Sequence, residues 1–204
     1  MKKKSIGFFG GSFDPIHIGH LHLAISLSEL CGLDQVIFCP AFVSPFKLDK
    51  RPHASTLHRA EMVEIAIRSI PNFVFCDYEL KEDSPSYTYD TIQYLNDKYS
   101  QQKQNVEIRL ILGDDALPGI HKWKNIDQLL QVAKPLVGTR CNSIEVSNLL
   151  SSSSKDVLKN NLIDIPVLDI SSTLLRDRIK KGLYCQHLIP NVVLEYIIQK
   201  QLYQ

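Results

Sequence analysis

The sequence predicts an α/β protein: a doubly wound parallel sheet in a single domain over residues 1–204. Three observations carry that expectation. Short β-favouring apolar runs alternate along the chain with segments of helical periodicity. At 204 residues the chain is long enough for one such domain with a sizeable core. Chemistry-bearing residues follow strands, and ligands of such sheets bind beyond the carboxyl ends of the strands.

The first element organises the rest. Ser5 to Phe9 is a short apolar run that reads as a buried strand ended by Gly10 and Gly11. Paired glycines permit backbone angles that a Cβ disfavours and allow close approach to the main chain. Asp14-Pro15 is a turn signal, and His17-Ile18-Gly19-His20 follows. From His20 the pattern becomes helical, with Leu21, Ala24, Ile25, Leu27, Leu30 and Cys31 on one face. A strand, a glycine turn and a helix start make an anion site, because free N–H groups and the helix dipole favour phosphate. Two histidines there add donors whose charge can respond to a phosphate. The plainer alternative is a strand–loop–helix with two incidental histidines.

The remaining elements follow in order. Residues 35–40 read as a second strand and 41–54 as a proline-rich loop holding Lys47, Lys50 and Arg51. That loop is either a solvated basic segment or a phosphate clamp. Residues 56–70 read as a helix, 73–76 as a strand, 79–85 as a charged loop and 87–99 as a helix. Residues 106–112 read as a strand ending at Gly113-Asp114-Asp115, 125–133 as a short helix and 136–138 as a strand before Thr139-Arg140. Residues 142–161 contain Ser151 to Ser154 and read as a surface excursion, helical from 155 to 161. Residues 165–170 read as the last strand. Ser171-Ser172-Thr173 opens a helix through Lys181 closed by Gly182, and Pro190 opens a final helix with Val193, Tyr196 and Ile197. Ser171 and Ser172 are good N-cap residues, and Arg176 lies one turn in, where a phosphate at that N-terminus would reach it.

Composition bounds the function. Hydrophobic residues make up 44% and charged residues 22%, ordinary for a soluble globular chain. A net charge of +1 gives no bulk field for nucleic acid or membrane surfaces, so neither is expected as a partner. Lys2-Lys3-Lys4 starts like a signal peptide, but Gly10, Gly11 and Asp14 break the following apolar run. A cytoplasmic location is expected. The cysteines number five, with no Cys-x-x-Cys, which speaks against disulfides and structural zinc; Cys31, Cys39 and Cys76 read as core thiols.

The block Gly11, Phe13, Asp14, Pro15, His17, Gly19, His20 resembles the G-x-F-D-P-x-H-x-G-H signature of the nucleotidylyltransferase superfamily, which has a Rossmann-like sheet. Ile170 to Arg176 resembles I-S-S-T-x-x-R of the nicotinate-nucleotide adenylyltransferases. Leu112 to Leu117 with Trp123 resembles their G-x-D-x-L…W segment, and Ser86 to Thr91 their S-Y-T-x-x-T. Arg59 and Met62 fit R-x-x-M, Leu136 to Arg140 fits a strand ending in Arg, and Leu202-Tyr203 fits a terminal L-Y. Residues 165–204 thus carry the second signature and the terminal helix.

The resemblance implies transfer of AMP from ATP to nicotinate mononucleotide, giving nicotinate adenine dinucleotide and pyrophosphate in NAD biosynthesis. It implies that His17, His20, Lys47 and Arg176 contact the triphosphate and carry the chemistry. Gly10, Gly11, Ser12, Phe13 and Gly19 would line the ATP site, with Gly10 and Ser12 shared by the acceptor. Ser171, Ser172 and Thr173 would hold phosphate and adenosine, and Asp115 a ribose. Trp123 would stack on the pyridine ring, although a core tryptophan is the alternative. Thr88 would meet the pyridine carboxylate, and Lys47 and Arg140 would join the mononucleotide site. Mg²⁺ is expected with ATP, held by phosphates and water. The sequence leaves a homo-oligomer open.

Three positions depart from the family pattern. Phe46 stands where a histidine is frequent, Asp114 fills a variable site before Asp115, and Lys124 follows Trp123 where an aromatic or arginine is common. Rival readings are a phosphopantetheine adenylyltransferase, a nicotinamide-nucleotide enzyme, a class I aminoacyl-tRNA synthetase fragment and a non-catalytic nucleotide binder. The synthetase reading lacks a K-M-S-K-S loop, and the binder would release no pyrophosphate.

Overall fold

A computed structural model describes residues 3–46, 51–81, 84–139, 147–166 and 168–204. Six strands form one parallel sheet in the order β3-β2-β1-β4-β5-β6. They are β1 (Lys4–Gly11), β2 (Gln35–Pro40), β3 (Phe73–Phe75), β4 (Val106–Gly113), β5 (Lys134–Thr139) and β6 (Leu162–Asp164). The strand order turns round at β1, whose neighbour on the other side is β4, and such a switch is where open α/β sheets bind ligands. The α/β expectation is met.

The chain falls into two compact units. The first comprises Met1–Phe9, Leu23–Ile37 and Tyr87–Val167. Here Ser5 pairs with Glu107 and Phe8 with Leu110, Leu112 pairs with Val137, and Val137 in turn with Leu162. Strands buried on both faces need apolar residues at successive positions. Ile6, Phe8, Phe9, Ile108, Leu110, Ile111, Leu112, Leu136 and Val137 supply them. Helices α4 (Thr88–Gln101), α5 (Ile126–Val132) and α6 (Ser152–Lys159) pack on β4 and β5. The second unit comprises Gly10–His22, Phe38–Ser86 and Leu168–Gln204. In it α2 (Thr56–Ile67) packs on β3 and on α8 (Asn191–Gln199), and His58 Nδ1 lies 2.8 Å from the Tyr196 hydroxyl. The short α3 (Tyr78–Lys81) and α7 (Ser172–Lys180) complete it. Helix α1 (Ile18–Cys31) runs from the second unit into the first.

Several expectations need correction. Residues 165–170 are not the last strand, which is Leu162–Asp164. The Ile165 N–H still donates to Thr139 O at 3.0 Å, but Pro166 has no N–H to carry the ladder on. Gly10 and Gly11 do not end β1. They complete it, and the Gly11 carbonyl accepts from Ala41 N–H at 2.8 Å. The stretch after Gly113 is a 3-10 segment, Asp114–Lys122, with Pro118 inside it. Charged residues 79–81 lie in a helical turn that buries Glu79. The buried face of α2 includes Arg59, while Leu57 is exposed. Of the three thiols expected in the core, only Cys39 is buried; Cys31 and Cys76 are half-buried.

Candidate active site

The second unit holds most of the residues expected at the phosphates: Gly10, Gly11, Ser12, Phe13, His17, Gly19, His20, Ser171, Ser172, Thr173 and Arg176. Thr88, Asp115 and Trp123 belong to the first unit. Lys47 and Arg140 lie outside the described residues.

Helix α1 begins beside His17, whose carbonyl accepts from His20 N–H at 3.0 Å and Leu21 N–H at 3.3 Å. The His17 N–H donates to His20 Nδ1 at 3.2 Å. A backbone N–H can only donate, so Nδ1 of His20 is the acceptor and neutral His20 carries its proton on Nε2. The two rings stack at 3.7 Å between centroids, 25° apart. Burial lowers the His17 pKa to about 4. Burial, and then the charge of His17, hold His20 well below its ordinary value. Two stacked imidazoles cannot both charge while desolvated, so without a ligand both are neutral at pH 7. His17 Nδ1 is buried without a hydrogen-bond partner, which marks it as a group built to receive something. Gly19 allows this arrangement. A Cβ there would lie 3.1 Å from His17 Cε1 and Nδ1, so the imidazole rests against bare backbone.

The loop before the histidines is held from below. Phe13 has φ 46, a left-handed angle, and its side chain is fully buried against Phe38 and the edge of His20. Gly11 makes room for that ring, since a Cβ would meet Phe13 Cζ at 3.0 Å. Arg59, 1% exposed, donates from Nη1 to Ser12 O (2.8 Å) and Ala41 O (2.6 Å) and from Nη2 to Phe42 O (3.0 Å). Burial lowers its pKa and Asp14 opposes that; an arginine so placed stays charged. Ser86 fixes the basic loop from the other side: its hydroxyl accepts from Phe42 N–H and its own N–H donates to Val43 O.

Asp14 is the hub. Its Oδ2 accepts from His53 N–H at 2.7 Å, and its Oδ1 from Ala54 N–H at 3.0 Å and the Tyr203 hydroxyl at 2.7 Å. Arg176 Nη1 donates to the Asp14 carbonyl at 2.7 Å and lies 3.7 Å from Oδ2. Arg176 Nη2 donates to Thr173 Oγ1, the Ser172 hydroxyl donates to Pro15 O, and Ser171 caps α7 by accepting from Leu174 N–H. The capping role of Ser171 is therefore seen, and Ser172 binds the loop itself. Asp14, Arg59 and Tyr203 had no chemical role in the sequence reading. A signal was available: a carboxylate inside a phosphate-binding loop repels phosphate, so it has to be turned inward to donors.

In the first unit, Thr88 opens α4 and Trp123 follows the 3-10 segment, its N–H donating to Ile120 O at 3.0 Å. Trp123 is half-buried. Lys124 donates to both Asp90 carboxylate oxygens (2.9 and 2.7 Å) and sits 4.9 Å over the Tyr87 ring. It ties the segment after Trp123 to the first turn of α4. Asp115 is exposed, its carboxylate folded over Gly113, where a Cβ would meet Oδ1 at 2.5 Å. Phe46 is 49% exposed.

Comparison with known proteins gives a consistent result. The cytidylyltransferase-like family profile matches residues 8–178. A "probable nicotinate-nucleotide adenylyltransferase" of Hydrogenobaculum sp. is 39% identical over 97% of each chain. One of the same description from Clostridium tetani is 39% identical over 100% of each. The solved Plasmodium falciparum nicotinic acid mononucleotide adenylyltransferase, complexed with APC, shares the fold: TM-score 0.75 at 22% identity, covering 98% of this chain and 97% of that one. The chain belongs to the cytidylyltransferase-like family and, within it, to the nicotinate-nucleotide adenylyltransferases.

Proposed function

We infer that this chain transfers the adenylyl group of ATP to nicotinate mononucleotide, releasing pyrophosphate and forming nicotinate adenine dinucleotide for NAD biosynthesis. The observation that carries the chemistry is the stacked His17–His20 pair at the start of α1. The names of the full-length relatives support the acceptor. A phosphate oxygen of the acceptor attacks the α-phosphorus of ATP. The bond from that phosphorus to the bridging oxygen breaks, and its electron pair leaves with pyrophosphate. The nucleophile is anionic near neutral pH and needs no general base, so catalysis is positioning and charge stabilisation.

Neutral imidazoles suit the first part of that task. They donate N–H groups to the phosphates at a helix N-terminus, and the arriving negative charge raises their proton affinity. Arg176 supplies fixed positive charge, and Lys47 a second cation from the basic loop. Ser171 to Thr173 sit at the N-terminus of α7 for the remaining phosphate and the adenosine. We propose that Trp123 stacks on the pyridine ring and that Thr88 donates to its carboxylate, as the resemblance implies.

Among the described residues no group of three or more His, Cys, Asp or Glu is placed to hold a metal ion. Asp14, the carboxylate nearest the histidines in sequence, is already taken by three donors. The donor set does not fit a protein-held ion, and we propose that Mg²⁺ arrives on the phosphates of ATP. No helix among the described residues is long and apolar enough to cross a membrane, and we propose a cytoplasmic enzyme.

The test is pyrophosphate release from ATP with either mononucleotide. An amide presents a donor where the acid presents only acceptors, and each buried mismatch costs about 1–3 kcal/mol. Two mismatches amount to roughly a hundred-fold or more in kcat/KM for nicotinate over nicotinamide mononucleotide. Equal values, or the reverse preference, would refute the acceptor assignment.

A further inference from the structure

Tyr203 lies 189 positions after Asp14 and donates its hydroxyl to Asp14 Oδ1 at 2.7 Å. The backbone bends to make that contact. Gln201 has φ 52 and Tyr203 φ 65, left-handed angles that residues with a side chain seldom occupy. Such angles persist where the surroundings over-determine them. Burial, and then the Asp14 charge, push the Tyr203 phenol far above its ordinary pKa, so it is a donor at any working pH.

The charge count around Asp14 gives this contact meaning. Arg59 and Arg176 both lie on the loop that leads to the histidines, one on the carbonyl of Ser12 and the other on that of Asp14. Among the described residues, Asp14 is the one carboxylate within 4 Å of the Arg176 guanidinium, at 3.7 Å from Nη1. That separation is longer than a charge-assisted hydrogen bond, which closes to about 2.7–2.9 Å. Oδ1 and Oδ2 are occupied instead by the neutral donors Tyr203, Ala54 N–H and His53 N–H. Neutral donors spread the carboxylate charge and fix its rotation. Arg176 is therefore steered by the Asp14 carbonyl and Thr173 and is not neutralised by a tight ion pair.

We propose that Tyr203 is a positioning residue of the phosphate site: its hydroxyl fixes the Asp14 carboxylate so that Arg176 stays aimed at the triphosphate and does not close onto Asp14. The inference rests on the reading, given above, that Arg176 binds the triphosphate.

The experiment is steady-state kinetics on the full chain with Y203F, R176A and the double variant. Tyr203→Phe keeps the ring and removes one hydrogen bond to a charged group, so KM for ATP should rise about tenfold. KM for nicotinate mononucleotide should stay within about twofold, and in the R176A background Y203F should add less than about twofold to KM for ATP. A purely structural tyrosine would raise both KM values and would do so with or without Arg176. The proposal is overturned if Y203F leaves KM for ATP within about twofold of the parent, or raises it equally in the R176A background. An R176A variant with unchanged KM for ATP would overturn the triphosphate role of Arg176, and this inference with it. An impaired R176A beside a silent Y203F would overturn this inference alone.

Discussion

Acid should weaken this fold through His17, by an amount the structure lets us work out. His17 is 4% exposed, and burial lowers its pKa from 6.5 to about 4. The unfolded chain therefore binds a proton at pH values where the folded chain does not. Stability falls as pH drops from 6.5 towards 4, and the contribution is constant above that window. From pH 7 to 4.5 the shift amounts to about 2.5 kcal/mol, at 1.36 kcal/mol per pH unit of displacement. His20, lowered in the same direction, adds to the loss. The assay is urea unfolding at pH 7 and pH 4.5 for the parent and for His17→Gln. Glutamine does not titrate, so the variant should lose roughly 2 kcal/mol less on acidification than the parent. The same acid loss in both proteins would refute the reasoning, because it would place the titration elsewhere. A second readout follows from the same shift. Phosphate beside His17 raises its proton affinity, so ATP binding near pH 6 should take up protons, seen as a buffer-dependent heat of binding.

Other expectations concern function more directly. His17→Ala and His20→Ala should each lower kcat by about ten- to a thousand-fold with an unchanged far-UV spectrum, the range for groups that stabilise transition-state charge; near-normal turnover of both would remove the phosphate role. Gly19→Ala places a Cβ 3.1 Å from the His17 ring and should lower kcat with little change in Tm, which steady-state kinetics beside a melting curve would show. Asp14→Ala leaves the buried Arg59 guanidinium without its nearby carboxylate and strips Tyr203, Ala54 N–H and His53 N–H of their acceptor, and should cost about 3–5 kcal/mol in denaturant unfolding. Lys124→Ala should raise KM for the mononucleotide by no more than about fivefold, and the effect should fade at high salt because the Lys124–Asp90 pair is exposed.

Much of this was legible in the sequence, for physical reasons that can be named. Strands β1, β2 and β4 carry apolar stretches, Ile6–Phe9, Val36–Cys39 and Leu110–Leu112, that are buried on both faces and stand out in the sequence. Helices α1, α2, α4, α7 and α8 show period or capping residues. The edge strand misled: Ile165, Val167, Leu168 and Ile170 are apolar, so 165–170 looked like a strand, but Pro166 closes the ladder and the paired residues are Leu162–Asp164. The 3-10 segment at Asp114–Lys122 has no sequence period long enough to read. At the site, the histidines and the Ser171–Arg176 stretch were visible because they form local motifs. Asp14, Arg59 and Tyr203 work by long-range bonds, largely to backbone groups, which leave no pattern in neighbouring residues. Their depth reverses the usual rule that arginine and aspartate stay outside.

The Asp14 hub also has a consequence for the order in which the molecule comes into being. Its partners stand 39, 40, 162 and 189 positions further along the chain. Contacts that span so much chain close late, since each must first overcome the entropy of a long loop. During synthesis from the N-terminus, the signature loop is made before any of these partners. The Tyr203 donor is translated only 189 residues after Asp14. A nascent chain therefore carries the two histidines long before it can hold them in place. Full affinity for nucleotide should therefore appear only after Tyr203 has been added and has reached Asp14.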